Sequence, residues 1–408
     1  MQPIIQPKIE SNYDFETMSD RHASSSKWHN MHQYSYSLVH DVVPLSTADM
    51  EFRLAPEIVD AICRYASSTI LGYSYMNDSF ISSYIDWMER QHNYKVLPQS
   101  LVPASGVVTS IFAAVRAFTE KGDAVMVMPP VYGPFFLAVQ RTNRRLVECP
   151  LVQEEEGHYE MDFGKMEELF KKEEVKALIF CSPHNPVGRV WSGQELARLS
   201  ELCVKYDVFV IADEIHHDMA LEAAPCARPH TVLETVNDEL KKRIITSTSL
   251  SKTFNLAGMS LAISVIPDRE NKEKFEAELA KNPDHTVNGI AYTAYEAAYT
   301  KGLSWLEDVL KVIASNLNFA ASYIKQNIPS VKTYVPEGTY LLWMDFSQTG
   351  LSGVALDEFL KFKAKLHLTP GSSFGGEAYN NFARMNVAAP RHVIEAALAR
   401  LKKALITI

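Results

Sequence analysis

Ser249-Leu250-Ser251-Lys252-Thr253-Phe254-Asn255-Leu256-Ala257-Gly258 follows the apolar, strand-like run Ile244 to Thr248 and sets one lysine among hydroxyls and small residues. A lysine so placed can act as an amine nucleophile. Partly desolvated and near a cationic group, it has a lowered pKa and can form a Schiff base with an aldehyde. The ordinary alternative is a surface lysine behind a strand. Two upstream segments bear on the choice. Cys181-Ser182-Pro183-His184-Asn185-Pro186-Val187-Gly188 follows the run Val175 to Phe180 and puts Asn185 at a strand's C-terminal edge, where open α/β sheets bind ligands. Val208-Phe209-Val210-Ile211-Ala212-Asp213 is a buried-type strand that ends in an acid facing the same crevice. Taken singly, Asn-Pro and Asp-Glu are most often turns or helix caps. Asparagine, aspartate and lysine in that order, each closing a separate apolar strand, form a far more specific set.

At these residues the chain resembles the pyridoxal 5'-phosphate (PLP) enzymes of aspartate-aminotransferase fold type I, and within them the cystathionine β-lyase (MalY/PatB-type) C–S lyases. The resemblance runs from Asn12-Tyr13-Asp14-Phe15 to Pro390-Arg391. It includes Lys27-Trp28, Ala48-Asp49-Met50-Glu51-Phe52, Gly72-Tyr73, Pro129-Pro130-Val131-Tyr132-Gly133-Pro134-Phe135, Asp213-Glu214-Ile215-His216 and Glu337-Gly338-Thr339-Tyr340-Leu341-Leu342-Trp343. It implies an α/β fold with a mainly parallel-sheet large domain and an α/β small domain.

Length and charge agree with that class. At 408 residues the chain exceeds a single core of roughly 250–300 residues, and 47% hydrophobic content can fill two lobes. A formal net charge of −9 with scattered Lys and Arg argues against a nucleic-acid footprint. No run approaches ~18 consecutive apolar residues, so no membrane partner is expected. Met1-Gln2-Pro3-Ile4-Ile5-Gln6 lacks a signal-peptide layout, and the cytosol is the expected compartment. Cys63, Cys149, Cys181, Cys203 and Cys226 show no C-x-x-C pair and read as reduced and mostly buried.

Along the chain, residues 1–53 read as an extended arm, with the polar run His22-Ala23-Ser24-Ser25-Ser26-Lys27, and the resemblance assigns them partly to the small domain. Residues 54–300, the expected large PLP-binding domain, alternate helices such as Gln194–Tyr206 with apolar runs at Ala124–Met128, Leu178–Cys181, Val208–Ala212, Ile244–Thr248 and Ser260–Ile266. That alternation predicts a mainly parallel sheet. Residues 301–408, the expected C-terminal small domain, hold helical patterns at Leu303–Gln326, Leu356–Lys365 and Val393–Ala404 and a strand at Tyr340–Phe346.

PLP needs an amine, a counter-ion for its ring nitrogen, a partner for its phenolic oxygen, a stacking face and a phosphate cradle. The resemblance assigns Lys252 as the amine, Asp213 as the counter-ion and Asn185 as the donor to the phenolic oxygen, with His216 close to that oxygen. Tyr132, held rigidly after Pro129-Pro130-Val131, would stack on the ring; a packed core tyrosine is its alternative. The phosphate would meet the N–H groups of Gly106, Val107 and Val108 at the start of a helix running from Thr109 to Phe118. Ser249 and Ser251 would add hydroxyls. Thr109 and Ser260 depart from the family, which often has proline and arginine at those positions. Tyr73 would reach the phosphate of a second copy, making a homodimer with shared active sites, and Arg384 would grip the substrate carboxylate. Tyr340 and Trp343 either line the site mouth or serve as core. His216-His217 with Asp213 and Asp218 invites a metal reading, but with Asp213 assigned to the cofactor, no metal is expected.

The reaction that this implies is β-elimination from a small sulfur-containing amino acid, with Lys252 as general base. Transamination uses the same residues and is the rival. A regulatory protein that binds a transcription factor is the alternative of another class.

Overall fold

In a computed structural model the chain is described over residues 11–18, 24–33, 42–154, 157–221, 238–282 and 286–407. Cys226 and the His22-Ala23 end of the polar run lie outside these residues. Seven strands build the larger sheet: β1 (Leu101–Ala104), β2 (Ala124–Val127), β3 (Arg145–Glu148), β4 (Val175–Cys181), β5 (Phe209–Asp213), β6 (Ile244–Thr248) and β7 (Ala262–Val265). Their spatial order is β1-β7-β6-β5-β4-β2-β3. Pairing is parallel from β3 through β6, and β7 runs antiparallel to both β6 and β1. The expected mainly parallel sheet is therefore present, with one strand reversed.

The strands read as unbroken apolar runs because both faces are covered. Side chains sort by their period of two. Val125, Val127, Ala177, Ile179, Ile211 and Ile245 enter one core, beneath the helix α1 (Val107–Phe118). Met126, Leu178, Phe180, Val210 and Ile244 enter the other, which continues into the rest of the molecule. Register aligns Cys181 with Asp213 and Asp213 with Ser247, so β4, β5 and β6 end side by side.

Four antiparallel strands, β8 (Lys332–Thr333), β9 (Leu341–Asp345), β10 (Thr369–Pro370) and β11 (Phe382–Asn386), form a second sheet in the order β8-β9-β11-β10. The long helix Leu303–Asn327 packs along the C-terminal helix Arg391–Leu405. The helix expected over 356–365 is instead an α-helix, Gly353–Glu358, that widens into a π-turn, Phe359–Lys363. There the Ala364 N–H donates to Phe359 O, and Phe359, Leu360 and Ala364 are all buried.

Two joints tie the sheets together. At the first, Glu337 accepts from Arg189 Nε (2.9 Å) and the Val190 N–H (2.8 Å). Gly188 adopts φ +70° there, and a Cβ on it would stand 2.2 Å from Pro336 Cβ, which explains the glycine of Asn185-Pro186-Val187-Gly188. At the second, the arm helix Ser26–Gln33 buries Lys27 completely, with Nζ 2.7 Å from Glu51 Oε1 and 3.0 Å from Asp49 O.

Breaking a buried pair from one side leaves an uncompensated charge. Lys27→Met is therefore expected to cost about 3–5 kcal/mol in urea unfolding, and Lys27→Met/Glu51→Leu to recover most of it. Equal losses in the single and double variants would show that the pair itself contributes nothing.

Candidate active site

The aligned ends of β4, β5 and β6 deliver Asn185, Asp213 and Lys252 to one edge. Lys252 sits in the single turn Leu250–Thr253, whose cap, Ser249, accepts the Ser251 N–H. The Lys252 stem keeps some exposure, but the amine is enclosed and donates to Ala48 O at 2.8 Å. Burial lowers its pKa, and Arg384 and Lys27 push the same way against the opposing pull of Asp49 and Asp213.

Asp213 is 3% exposed, and its Oδ1 accepts the Ile215 N–H at 3.0 Å. Burial drives the carboxyl up to about 7, although Lys252 opposes the shift. The buried His216 ring lies 5.9 Å from that of Tyr340, and burial keeps it neutral. Its Nδ1 has no hydrogen-bond partner. Tyr132 is half-buried, its phenol raised by burial and then by Asp213.

Arg384, on β11, is buried and donates to Asn185 Oδ1 (2.8 Å), Ser46 O (3.0 Å) and Thr369 Oγ1 (3.3 Å). Its Nε is buried without a partner. Arginine can only donate, so the Asn185 amide oxygen must face it and the amide NH2 must face elsewhere. Burial pulls the guanidinium pKa down to about 10.

Five successive carbonyls cross this edge, and each accepts from a side chain. Ser46 O takes Arg384, Thr47 O takes Asn386, and Ala48 O takes both Lys252 and Tyr340. Asp49 O takes Lys27 and Asn386, and Met50 O takes Asn255, whose Oδ1 accepts the Met50 N–H in return. Tyr340 thus shares an acceptor with Lys252 at this edge.

The structure places the other expected residues as follows. Trp343 is core: it stacks on Phe382 (5.0 Å, 6°) and donates to the Tyr159 hydroxyl. Helix α1 starts at Val107, two residues earlier than expected. The Gly106 N–H goes to Ala104 O at 2.8 Å, in a turn that needs its φ of +95°, so it is not a free donor. Val107 and Val108, in the first turn, have N–H groups without intrahelical acceptors. Ser249 does not face the edge; its hydroxyl donates to Leu261 O (2.7 Å) and contacts the Tyr295 hydroxyl (2.9 Å). Ser251 is partly exposed next to Lys252. Tyr73 is fully exposed and is not brought to the edge within one chain.

Three features went unnoticed in the sequence: the carbonyl row, the buried hydroxyls of Ser110, Ser247 and Ser264 (2.7–3.0 Å apart), and the distant partners Trp87, His92 and Thr253 that meet Asp218 in a polar node. That node brings ligand atoms of His92, His217 and Asp218 within 4.8 Å of one another. His217 and Asp218 are adjacent in the sequence and invite a metal reading there, but no short-range pattern links His92 to a residue 126 positions away.

The model of the family "Aminotransferase class I and II" matches residues 40–401. The chain belongs to this family. Cystathionine beta-lyase PatB of Bacillus subtilis is 38% identical over 369 residues, covering 90% of this chain and 93% of that protein. The crystal structure of cystalysin from Treponema denticola, which contains PLP, superimposes with a TM-score of 0.93 at 36% identity, covering 97% of this chain and all of the other. A PLP-bound C–S lyase from Staphylococcus hominis gives a TM-score of 0.89 at 28% identity, covering 98% and 99%. The fold is that of the PLP-dependent class I and II aminotransferases, and PLP is the cofactor. The edge fits it: a buried acid with a raised pKa suits a pyridinium, the enclosed amine suits an aldehyde, and the first turn of α1 suits a phosphate.

Asp213 supplies a pH test on the protein without cofactor. Its folded pKa, about 7, lies above the ordinary 3.8, so the folded state holds the proton longer as pH rises. The stability from the neutral acid is complete below the unfolded value and is lost on the way up through about 7. Asp213→Asn removes that loss. Its unfolding temperature relative to the parent is expected to rise between pH 5 and pH 8; a constant difference would mean that Asp213 ionises normally.

Proposed function

We propose that this protein is a PLP-dependent C–S β-lyase that cleaves cystathionine, cystine or cysteine to a thiol or sulfide, pyruvate and ammonia. The observation that carries the reading is the enclosed Lys252 amine set between Asp213 and Arg384, in a chain 38% identical to a cystathionine beta-lyase. PLP, when bound, supplies the electron sink that makes a substrate Cα proton removable. Asp213 would face the ring nitrogen, the Asn185 amide NH2 and His216 the phenolic oxygen, and Tyr132 the ring. The N–H groups of Val107 and Val108, with Ser251, would face the phosphate.

The planar fork of Arg384 takes the substrate carboxylate, for which its partnerless Nε leaves a donor. Lys252 Nζ accepts the Cα proton, a role that requires the neutral amine, which burial favours. Thiolate then departs with the C–S electron pair, and the released three-carbon fragment hydrolyses to pyruvate and ammonia. Substrates without a leaving group on Cβ have no such exit.

The same reading includes a homodimer. Ile70, Leu71, Tyr73 and Tyr75 are 86%, 66%, 106% and 79% exposed, an apolar strip that a second copy would cover, carrying Tyr73 to that copy's phosphate. No helix among the described residues is long and apolar enough to cross a membrane, and Cys149, Cys181 and Cys203 are buried free thiols. Both features suit the cytoplasm.

Borohydride treatment of the yellow holoprotein, followed by peptide mapping, is expected to label Lys252; a label on another lysine defeats the assignment. With L-cystathionine or L-cystine, pyruvate and thiol release should exceed keto-acid-dependent amino transfer, and the opposite ranking replaces lyase by aminotransferase. Arg384→Ala should lose about 2–5 kcal/mol of transition-state binding, read from kcat/KM. Mixed dimers of Tyr73→Phe and Lys252→Ala chains should recover activity, because one hybrid site receives both intact residues. Confirmed heterodimers without recovery refute the sharing.

A further inference from the structure

Asp218 lies five residues beyond Asp213, in the turn that follows β5, with its carboxylate 1% exposed. Oδ1 accepts from Trp87 Nε1 at 3.0 Å and faces His92 Nε2 at 2.8 Å. Oδ2 accepts from Thr253 Oγ1 at 2.7 Å, with His217 Nε2 at 3.4 Å. Trp87 and His92 both belong to the helix Asp78–His92, and Thr253 is the residue that follows Lys252. Trp87 and Thr253 present protons to the carboxylate, as does His92 in the tautomer that bonds it. Burial alone would raise the carboxyl, but His217, His92 and Thr253 around it hold it well below the usual carboxylate range, as suits a fixed anion. A divalent cation at this node would instead need those groups to offer lone pairs, which the indole N–H cannot do.

Thr253 is fully buried and ends the single turn that carries the lysine. At its other end the turn is held by Ser249. After burial, the charges that weigh most on Lys252 are those of Asp49, Arg384, Lys27 and Asp213, and the hydrogen bond of Thr253 is the direct contact between Asp218 and the lysine turn.

We propose that Asp218 is a positioning residue for Lys252: through the Thr253 hydroxyl it anchors the lysine turn to the helix Asp78–His92 and to the turn that follows Asp213. The anchored turn keeps Nζ at Ala48 O, in reach of the substrate Cα. This rests on Lys252 being the amine that bonds PLP.

The test compares Thr253→Val, which keeps shape but loses the donor, with Thr253→Ser, which keeps the donor. Asp218→Asn keeps volume but replaces one acceptor oxygen by an NH2 that faces a donor. Three quantities are read for each full-length protein: thermal unfolding, kcat and KM on L-cystine, and the rate at which the apoprotein forms its borohydride-reducible bond with added PLP. Misplacement by about 1 Å can cost on the order of 100-fold. Thr253→Val and Asp218→Asn should therefore lower kcat and the bond-formation rate by about 10- to 100-fold with KM within about threefold, and Thr253→Ser should restore both rates. If Thr253→Val lowers the unfolding temperature alone and leaves both rates within twofold, or if Thr253→Ser is as slow as Thr253→Val, the proposal is wrong. Should either disruptive variant fail to fold, the other decides together with Thr253→Ser. Borohydride labelling of the parent separates the two readings. A label elsewhere than Lys252 overturns the assignment of the amine, whereas a label on Lys252 with unchanged rates overturns only the anchoring.

Discussion

The site depends on one short length of main chain. Ser46 to Met50 passes across the ends of β4, β5 and β6 and offers its carbonyls to donors from the lysine turn (Lys252), the arm (Lys27), the loop behind the turn (Asn255) and the second sheet (Arg384, Asn386). Tyr340, just ahead of β9, adds a further donor. Each of these side chains is polar and largely interior, and each would carry a desolvation penalty if its donors found no acceptor. The carbonyl row supplies those acceptors without adding a negative charge. It also couples the sheets, so that the arginine and the lysine keep a fixed separation.

Within that frame, burial sets the electrostatics. It lowers the basicity of Lys252 and Arg384 and raises the pKa of Asp213 toward neutrality, so all three move toward the uncharged form. The two cations oppose each other, and Asp49 and Asp213 counter part of the effect on the lysine. Asp218 goes the other way: surrounded by donors it stays ionised despite equal burial. Two aspartates five residues apart, one in the turn after β5 and the other ending that strand, thus shift in opposite directions because the first is surrounded by protein donors and the second has few. The first behaves as a structural anion, and the second is an acid suited to a cationic partner.

Much of this was legible in the residues. Unbroken apolar runs located five strands of the large sheet to within three residues at either end, since parallel strands buried on both faces leave a strong pattern. The order Asn185, Asp213, Lys252 gave the edge, because strand ends and turn formers are local signals. What escaped notice was non-local. Gly106 reads as an anion-binding donor until the turn that consumes its N–H is seen, and Ser249 reads as a ligand hydroxyl until Leu261 is found beside it. β1 and β11 are short, and β11 carries an arginine in place of a clear alternation, so neither stood out. The role of the Ala48 carbonyl has no residue-type signature at all, since every residue has a carbonyl.

That last point has a bearing on how the site could be reshaped. Contacts made by the main chain are indifferent to side-chain identity, so a library of point substitutions over Ser46 to Met50 would leave the acceptor row largely in place and sample mainly the entrance around Asp49. Chain length is a different lever. One residue added or removed ahead of Met50 would shift four or five carbonyls out of step with donors that cannot follow, because those donors sit on two separate sheets and an arm. The segment is therefore permissive toward composition and intolerant of insertion, and its length sets the span between the amine and the guanidinium.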